Sequence, residues 1–116
     1  GHSGLIRSLI FDKNNELIST SEDKTIRIWD METGTVKRTL NYQNFQITSL
    51  VIDQYNDLVS GTSDGMIFLI DLLTGNIKNT LLGHNDWIRS IIKTSNNFDE
   101  FISGSDDKTI KIWRKY

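Results

Sequence analysis

Two sets of histidine, serine and aspartate stand at matched spacing in this chain: His2, Ser19 and Asp23, then His84, Ser103 and Asp107. Together they are the parts of a hydrolytic triad, in which His takes the Ser proton and Asp fixes the imidazole. Duplication argues against that chemistry, because an enzyme rarely carries two identical nucleophile sites in one domain. No catalytic residue is assigned. A metal reading fares no better. His2 and His84 lie in different units without a second ligand at short spacing, and there is no cysteine to supply a thiolate or a disulfide. The turns Ser21-Glu22-Asp23-Lys24 and Ser105-Asp106-Asp107-Lys108 lack the alternating oxygen ligands and central Gly of a calcium loop. No cofactor is expected.

The elements that position these residues repeat with them. Ile18–Trp29, Val59–Ile70 and Ile102–Trp113 are three copies of one pattern: an aliphatic and a Ser, then an Asp, then an Ile-rich strand. The repeat aspartates Asp23, Asp64 and Asp107 are 41 and then 43 residues apart. A period of roughly 40–45 residues marks a repeat architecture whose units bury their faces by stacking. Short alternating apolar runs between Asn, Asp, Gly and Ser read as strands and turns, with no helical period. The predicted strands of the first unit are Ile6–Phe11, Glu16–Thr20, Thr25–Asp30 and Thr35–Leu40. Those of the second are Ile47–Ile52, Asp57–Gly61, Met66–Asp71 and Asn76–Leu81, and those of the third Ile88–Lys93, Glu100–Gly104 and Thr109–Arg114. Gly34 and Gly75 close hairpin turns that need a positive φ. The extra residues of the third unit fall in its first turn, Thr94–Asp99. The fold class is all-β: antiparallel four-stranded meanders in units 1–40, 41–81 and 82–116, the last without its fourth strand.

Charge narrows the partners. With 13 basic and 15 acidic residues the net charge is −2. Nucleic-acid and anionic-membrane binding would need a basic excess. The middle unit holds four acidic groups and one basic. Without cysteine, sequon, signal peptide or membrane-length apolar run, an intracellular setting is expected, cytoplasmic with the nucleus as the alternative. Gly1-His2-Ser3 occupies the place of Gly83-His84-Asn85 and is therefore read as native sequence.

The repeats resemble the WD-repeat family of β-propellers, whose units carry Gly-His before the first strand, Ser and Asp around the second, and Trp-Asp ending the third. The first unit has Gly1-His2, Ser19, Asp23 and Trp29-Asp30. The third has Gly83-His84, Ser103, Asp107 and Trp113, with Arg114 in place of Asp. The resemblance implies that His, Ser, Asp and Trp form a structural hydrogen-bonded relay. In the second unit Ser60 and Asp64 keep their places, but Gln43 replaces His and Ile70 replaces Trp, leaving a degenerate blade held by apolar packing.

The resemblance also places protein binding on the propeller's top face, at Arg7 and Glu22, Thr48 and Ser63, and Arg89 and Asp106. Trp87, in the loop before the third unit's first strand, is either an interaction anchor or packing over a neighbouring blade. Phe68, standing where the other units have Arg27 and Lys111, either fills the space of the lost relay or faces outward. Tyr42 and Phe45 share that ambiguity. The function this implies is a non-catalytic scaffold binding other proteins or peptides. The alternative is a substrate receptor reading phosphorylated or acidic peptides through Arg7 and Arg89. Propellers close with about four to eight blades. About three blades make an incomplete ring, to be finished by further blades of a longer chain, seven in all by resemblance, or by a second copy in a six-bladed homodimer.

Overall fold

The computed structural model describes residues 1–42, 44–53, 55–94 and 100–114. Eleven strands run in chain order: β1 (Ile6–Phe11), β2 (Leu17–Ser21), β3 (Thr25–Asp30), β4 (Thr35–Asn41), β5 (Ile47–Ile52), β6 (Leu58–Thr62), β7 (Met66–Ile70), β8 (Ile77–Leu82), β9 (Ile88–Lys93), β10 (Glu100–Ser105) and β11 (Ile110–Arg114). They form three antiparallel meanders in the orders β1-β2-β3-β4, β5-β6-β7-β8 and β9-β10-β11. Several strands begin or end one residue away from the sequence expectation, because the ladder follows backbone pairing and not the apolar run. Leu17 and not Glu16 opens β2, and its last pair is Ile6 with Ser21. Gly34 and Gly75 turn at φ 72° and 77°, each donating its N–H to the carbonyl that opens the turn, Asp30 and Asp71. Of the long first turn in the third blade, Ser95–Asp99 lie outside the described residues, as does Gln43 in the second.

Alternation along each strand gives every blade two faces. Ile18, Ile26 and Ile28 of the first blade pack against Leu50, Leu58, Phe68 and Ile70 of the second. On the other face of the second blade, Val59, Ile67 and Leu69 pack against Ile88, Ile91 and Phe101 of the third. β1, β5 and β9 lie side by side along the inner edge of the arc. The stacking therefore has a direction: an aliphatic face of one blade meets the Ser-bearing face of the next.

The arc is open at both ends. Leu9 and Phe11 are 58% and 56% exposed on the first blade, and Ile92, Ile110 and Ile112 are 55%, 77% and 66% exposed on the third. Covering a large aliphatic or aromatic side chain stabilises by about 1.5–3 kcal/mol. Five of them left in water forgo an amount comparable with a whole domain's stability.

Candidate functional site

In the third blade the His84 side chain is enclosed between the loop before β9 and the sheet. Its Nε2 lies 2.7 Å from Ser103 Oγ and its Nδ1 3.0 Å from Asp107 Oδ2. The Trp113 indole donates its N–H to the same Ser103 Oγ at 2.8 Å. One ordering satisfies all four groups: Trp donates to Ser, Ser to His Nε2, and His Nδ1–H to Asp. The first blade repeats this, with His2 2.6 Å from Ser19 and 2.9 Å from Asp23, and Trp29 2.9 Å from Ser19.

Each aspartate is held from several sides. Asp107 takes the Thr109 hydroxyl and the N–H groups of Asn85 and Thr109. Asp23 takes the equivalent bonds from Thr25 and Ser3. Thr109 leads the causes that hold the Asp107 carboxyl well below the usual carboxylate range. At Asp23 burial pushes upward most strongly, yet the combined hydrogen bonds of Thr25, His2 and Ser3 outweigh it and the carboxyl again lies far below its ordinary value.

This is the connectivity of a catalytic triad, and what separates it from one is access. Ser19 and Ser103 are 2% and 0% exposed, and a Trp N–H occupies an oxygen that would have to attack. Neither serine can reach a substrate carbonyl without dismantling its blade. Thr25 and Thr109 belong to the same network, and sequence reasoning did not single them out. The signal was present: Asp-Lys-Thr follows both relay serines, whereas the second blade reads Asp64-Gly65-Met66.

The second blade has no such network among the described residues. Ser60 Oγ is buried without a partner, and Asp64 is exposed, so the expectation of a relay role for this pair is corrected. The cause is the loss of Trp at Ile70, with the His position, Gln43, outside the described residues. Phe68 lies opposite Ser60 across the β6–β7 pair, buried, with Phe45 edge-on at 4.8 Å. It fills space and does not face outward. Tyr42 is likewise buried and donates its hydroxyl to the Gly75 carbonyl at 2.8 Å.

At the relay end of the inner strands the charged residues converge. Arg7 bonds Glu22 at 2.8 Å, and Arg89 grips Asp106 through Nε and Nη2 at 3.0 and 2.7 Å. Both guanidiniums sit over the Trp87 indole, with Cζ 5.3 Å (Arg7) and 4.5 Å (Arg89) from the ring centroid. Thr48, expected on this face, is buried and gives its hydroxyl to the Ile88 carbonyl at 2.5 Å. Its side chain is too short to pass its neighbours and turns inward, so it is removed from the contact surface. Ser63 stays half-buried at the edge. Among the described residues no cluster of His, Asp or Glu is placed to hold a metal ion.

Comparison with known proteins fixes the family. The WD40 family model (WD domain, G-beta repeat) matches residues 1–30 and 75–114, more than half of the chain and both blades with a complete relay. The chain belongs to the WD40 family. Over 41 residues it is 54% identical to Protein pleiotropic regulator PRL2 of Arabidopsis thaliana, covering 34% of this chain and 9% of that protein. Over another 41-residue alignment it is 46% identical to Pre-mRNA-splicing factor PRP46 of Yarrowia lipolytica, covering 34% of this chain and 9% of that protein. The WD40 beta propeller domain of Doa1 superposes with a TM-score of 0.83 at 27% identity, over 96% of this chain and 37% of that one. The chain thus spans under a tenth of these curated relatives and just over a third of a solved WD40 propeller.

Proposed function

We propose that these WD40 blades serve a non-catalytic scaffold whose partners dock on the face carrying Arg7, Trp87 and Arg89. The observation that carries this reading is the convergence of two arginines from different blades on one half-buried indole. Arg and Trp are the residue types that dominate interface energetics when they cluster near a centre. Glu22, Ser63 and Asp106 border that centre. Trp29 and Trp113 close off the serines of the Ser-His-Asp sets, which supports the non-catalytic reading. The ring is completed by further blades, in keeping with the 37% coverage of the Doa1 propeller and with the two apolar end faces; a second copy of the chain is the other route to closure.

The names of the relatives direct the choice of partners. A likeness to a pre-mRNA-splicing factor favours other proteins of a splicing assembly and a nuclear setting over a cytoplasmic one. A net charge of −2 speaks against direct binding to nucleic acid, and no helix among the described residues is long and apolar enough to cross a membrane.

A second reading, recognition of phosphorylated or acidic peptides by Arg7 and Arg89, draws on the same convergence. Glu22 and Asp106 each neutralise one guanidinium, so an arriving anion has to compete with two carboxylates. Affinity purification of the full chain beside its Arg7→Glu/Arg89→Glu variant tests both readings. Partners lost by a variant whose circular dichroism shows the β-sheet fold retained support top-face docking, and loss confined to phosphatase-sensitive partners supports the second reading. A partner set wholly retained by a folded variant overturns both.

A further inference from the structure

We infer that Trp87 is a positioning residue that braces the first blade to the third directly, across the degenerate second one. Arg7 projects from β1 and Trp87 from the loop before β9, so their contact passes over β5 altogether. Thr48 makes the crossing possible. It occupies the slot of Arg7 and Arg89 in the second blade, yet it is short, buried and tied to the Ile88 carbonyl. An arginine there would place a third guanidinium in the path of Arg7.

The indole is held by its own backbone. Asp106 donates its N–H to the Trp87 carbonyl at 2.9 Å, Ser105 its hydroxyl to the Asp86 carbonyl at 3.0 Å, and Trp87 its N–H to Asp86 Oδ1 at 2.8 Å. Two guanidiniums beside one ring repel each other unless neutralised. Glu22 and Asp106 supply one carboxylate to each, and each anchors its arginine to the blade it came from. Attraction between a cation and the indole face then becomes a link between blades.

The place of this link is meaningful. The first and third blades each tie loop to sheet through a complete relay, while the second retains an unpartnered Ser60 Oγ and apolar packing. Joining the two well-tied blades above the second adds a direct link across it, beside the ties that run through it from Thr20 to the Ile47 carbonyl and from Thr48 to the Ile88 carbonyl. The inference concerns the unliganded fold and holds whether or not partners dock on Trp87.

Thermal melting of the full chain without partners tests it. Arg7→Ala is expected to lower Tm by about 2–4 °C in the native background and by nothing measurable in the Trp87→Leu background. Trp87→Phe, which keeps an aromatic face, should preserve the sensitivity to Arg7→Ala that Trp87→Leu abolishes. Thr48→Arg, made with Trp87 intact, should also erase it, which keeps the test decisive if Trp87→Leu does not fold. An Arg7→Ala effect of equal size in all four backgrounds overturns the brace. So does a native chain indifferent to Arg7→Ala.

Discussion

Ser103 and Ser60 occupy the same position in two blades, and replacing each with alanine should move stability in opposite directions. Ser103 Oγ serves two partners, accepting from Trp113 Nε1 at 2.8 Å and contacting His84 Nε2 at 2.7 Å. Ser103→Ala leaves the His nitrogen and the Trp N–H without a partner in a site water cannot readily enter. A buried polar group stranded in this way costs about 1–3 kcal/mol, so the pair should cost about 2–6 kcal/mol together. That is a large share of a typical domain's total stability of about 5–15 kcal/mol. Ser60 Oγ is equally buried but bonds to nothing among the described residues. Removing it deletes a desolvated hydroxyl that returns no bond, so Ser60→Ala should be neutral or stabilising by up to about 1 kcal/mol. Urea unfolding followed by circular dichroism measures both, and unchanged m-values would show that the folded states are comparable. Equal losses at the two positions would mean that the serines matter for packing and not for the relay.

Three further outcomes follow from particular contacts. A Cβ on Gly61 would lie 2.6 Å from Ile88 Cγ2, whereas one on its counterpart Gly104 meets nothing within 4 Å. Gly61→Ala should therefore cost about 1–3 kcal/mol in residues 1–116, while Gly104→Ala should be silent there and costly in a closed ring, as differential scanning calorimetry on both forms would show. Asp23 and Asp107 lie below their ordinary value of 3.8 in the folded state, so their contribution is complete above that pH and is lost as pH falls beneath it. Asp107→Asn should accordingly flatten the acid limb of a stability–pH profile measured by chemical unfolding. Tyr42 is raised from 10.0 to about 12, first by burial and in spite of Arg38 nearby. Its folded-state phenol keeps its proton while the unfolded one ionises, so stability falls as pH rises between those values. Tyr42→Phe should abolish that fall and remove a late-titrating step from the tyrosinate absorbance of the native protein.

The sheets were legible because a period of about 40 residues and strict alternation leave few other folds. Boundaries moved by a residue where backbone pairing ran past the expected end, as at Ser21, or stopped short of it, as at Ile70. Recurrence marked His, Ser, Asp and Trp as a set. It did not bring out Thr25 and Thr109, whose role shows only where both hydroxyls reach an Asp and a His. Slot counting placed Thr48 on the binding face because a position in a repeat does not reveal side-chain reach. The meeting of Arg7 with Trp87 lay beyond sequence reasoning for the same kind of reason. The two residues belong to different blades, and only the curvature of the stack brings them together.

That the three blades are an arc of a larger ring is the claim from which the surfaces and their partners follow. Light scattering on residues 1–116 tests it most directly. The exposed faces of Leu9, Phe11, Ile110 and Ile112 predict self-association. A mass near twice 13.3 kDa with a sharp melt would assign closure to a second copy. A monodisperse 13.3 kDa monomer that melts cooperatively would show instead that three blades stand alone without a larger ring.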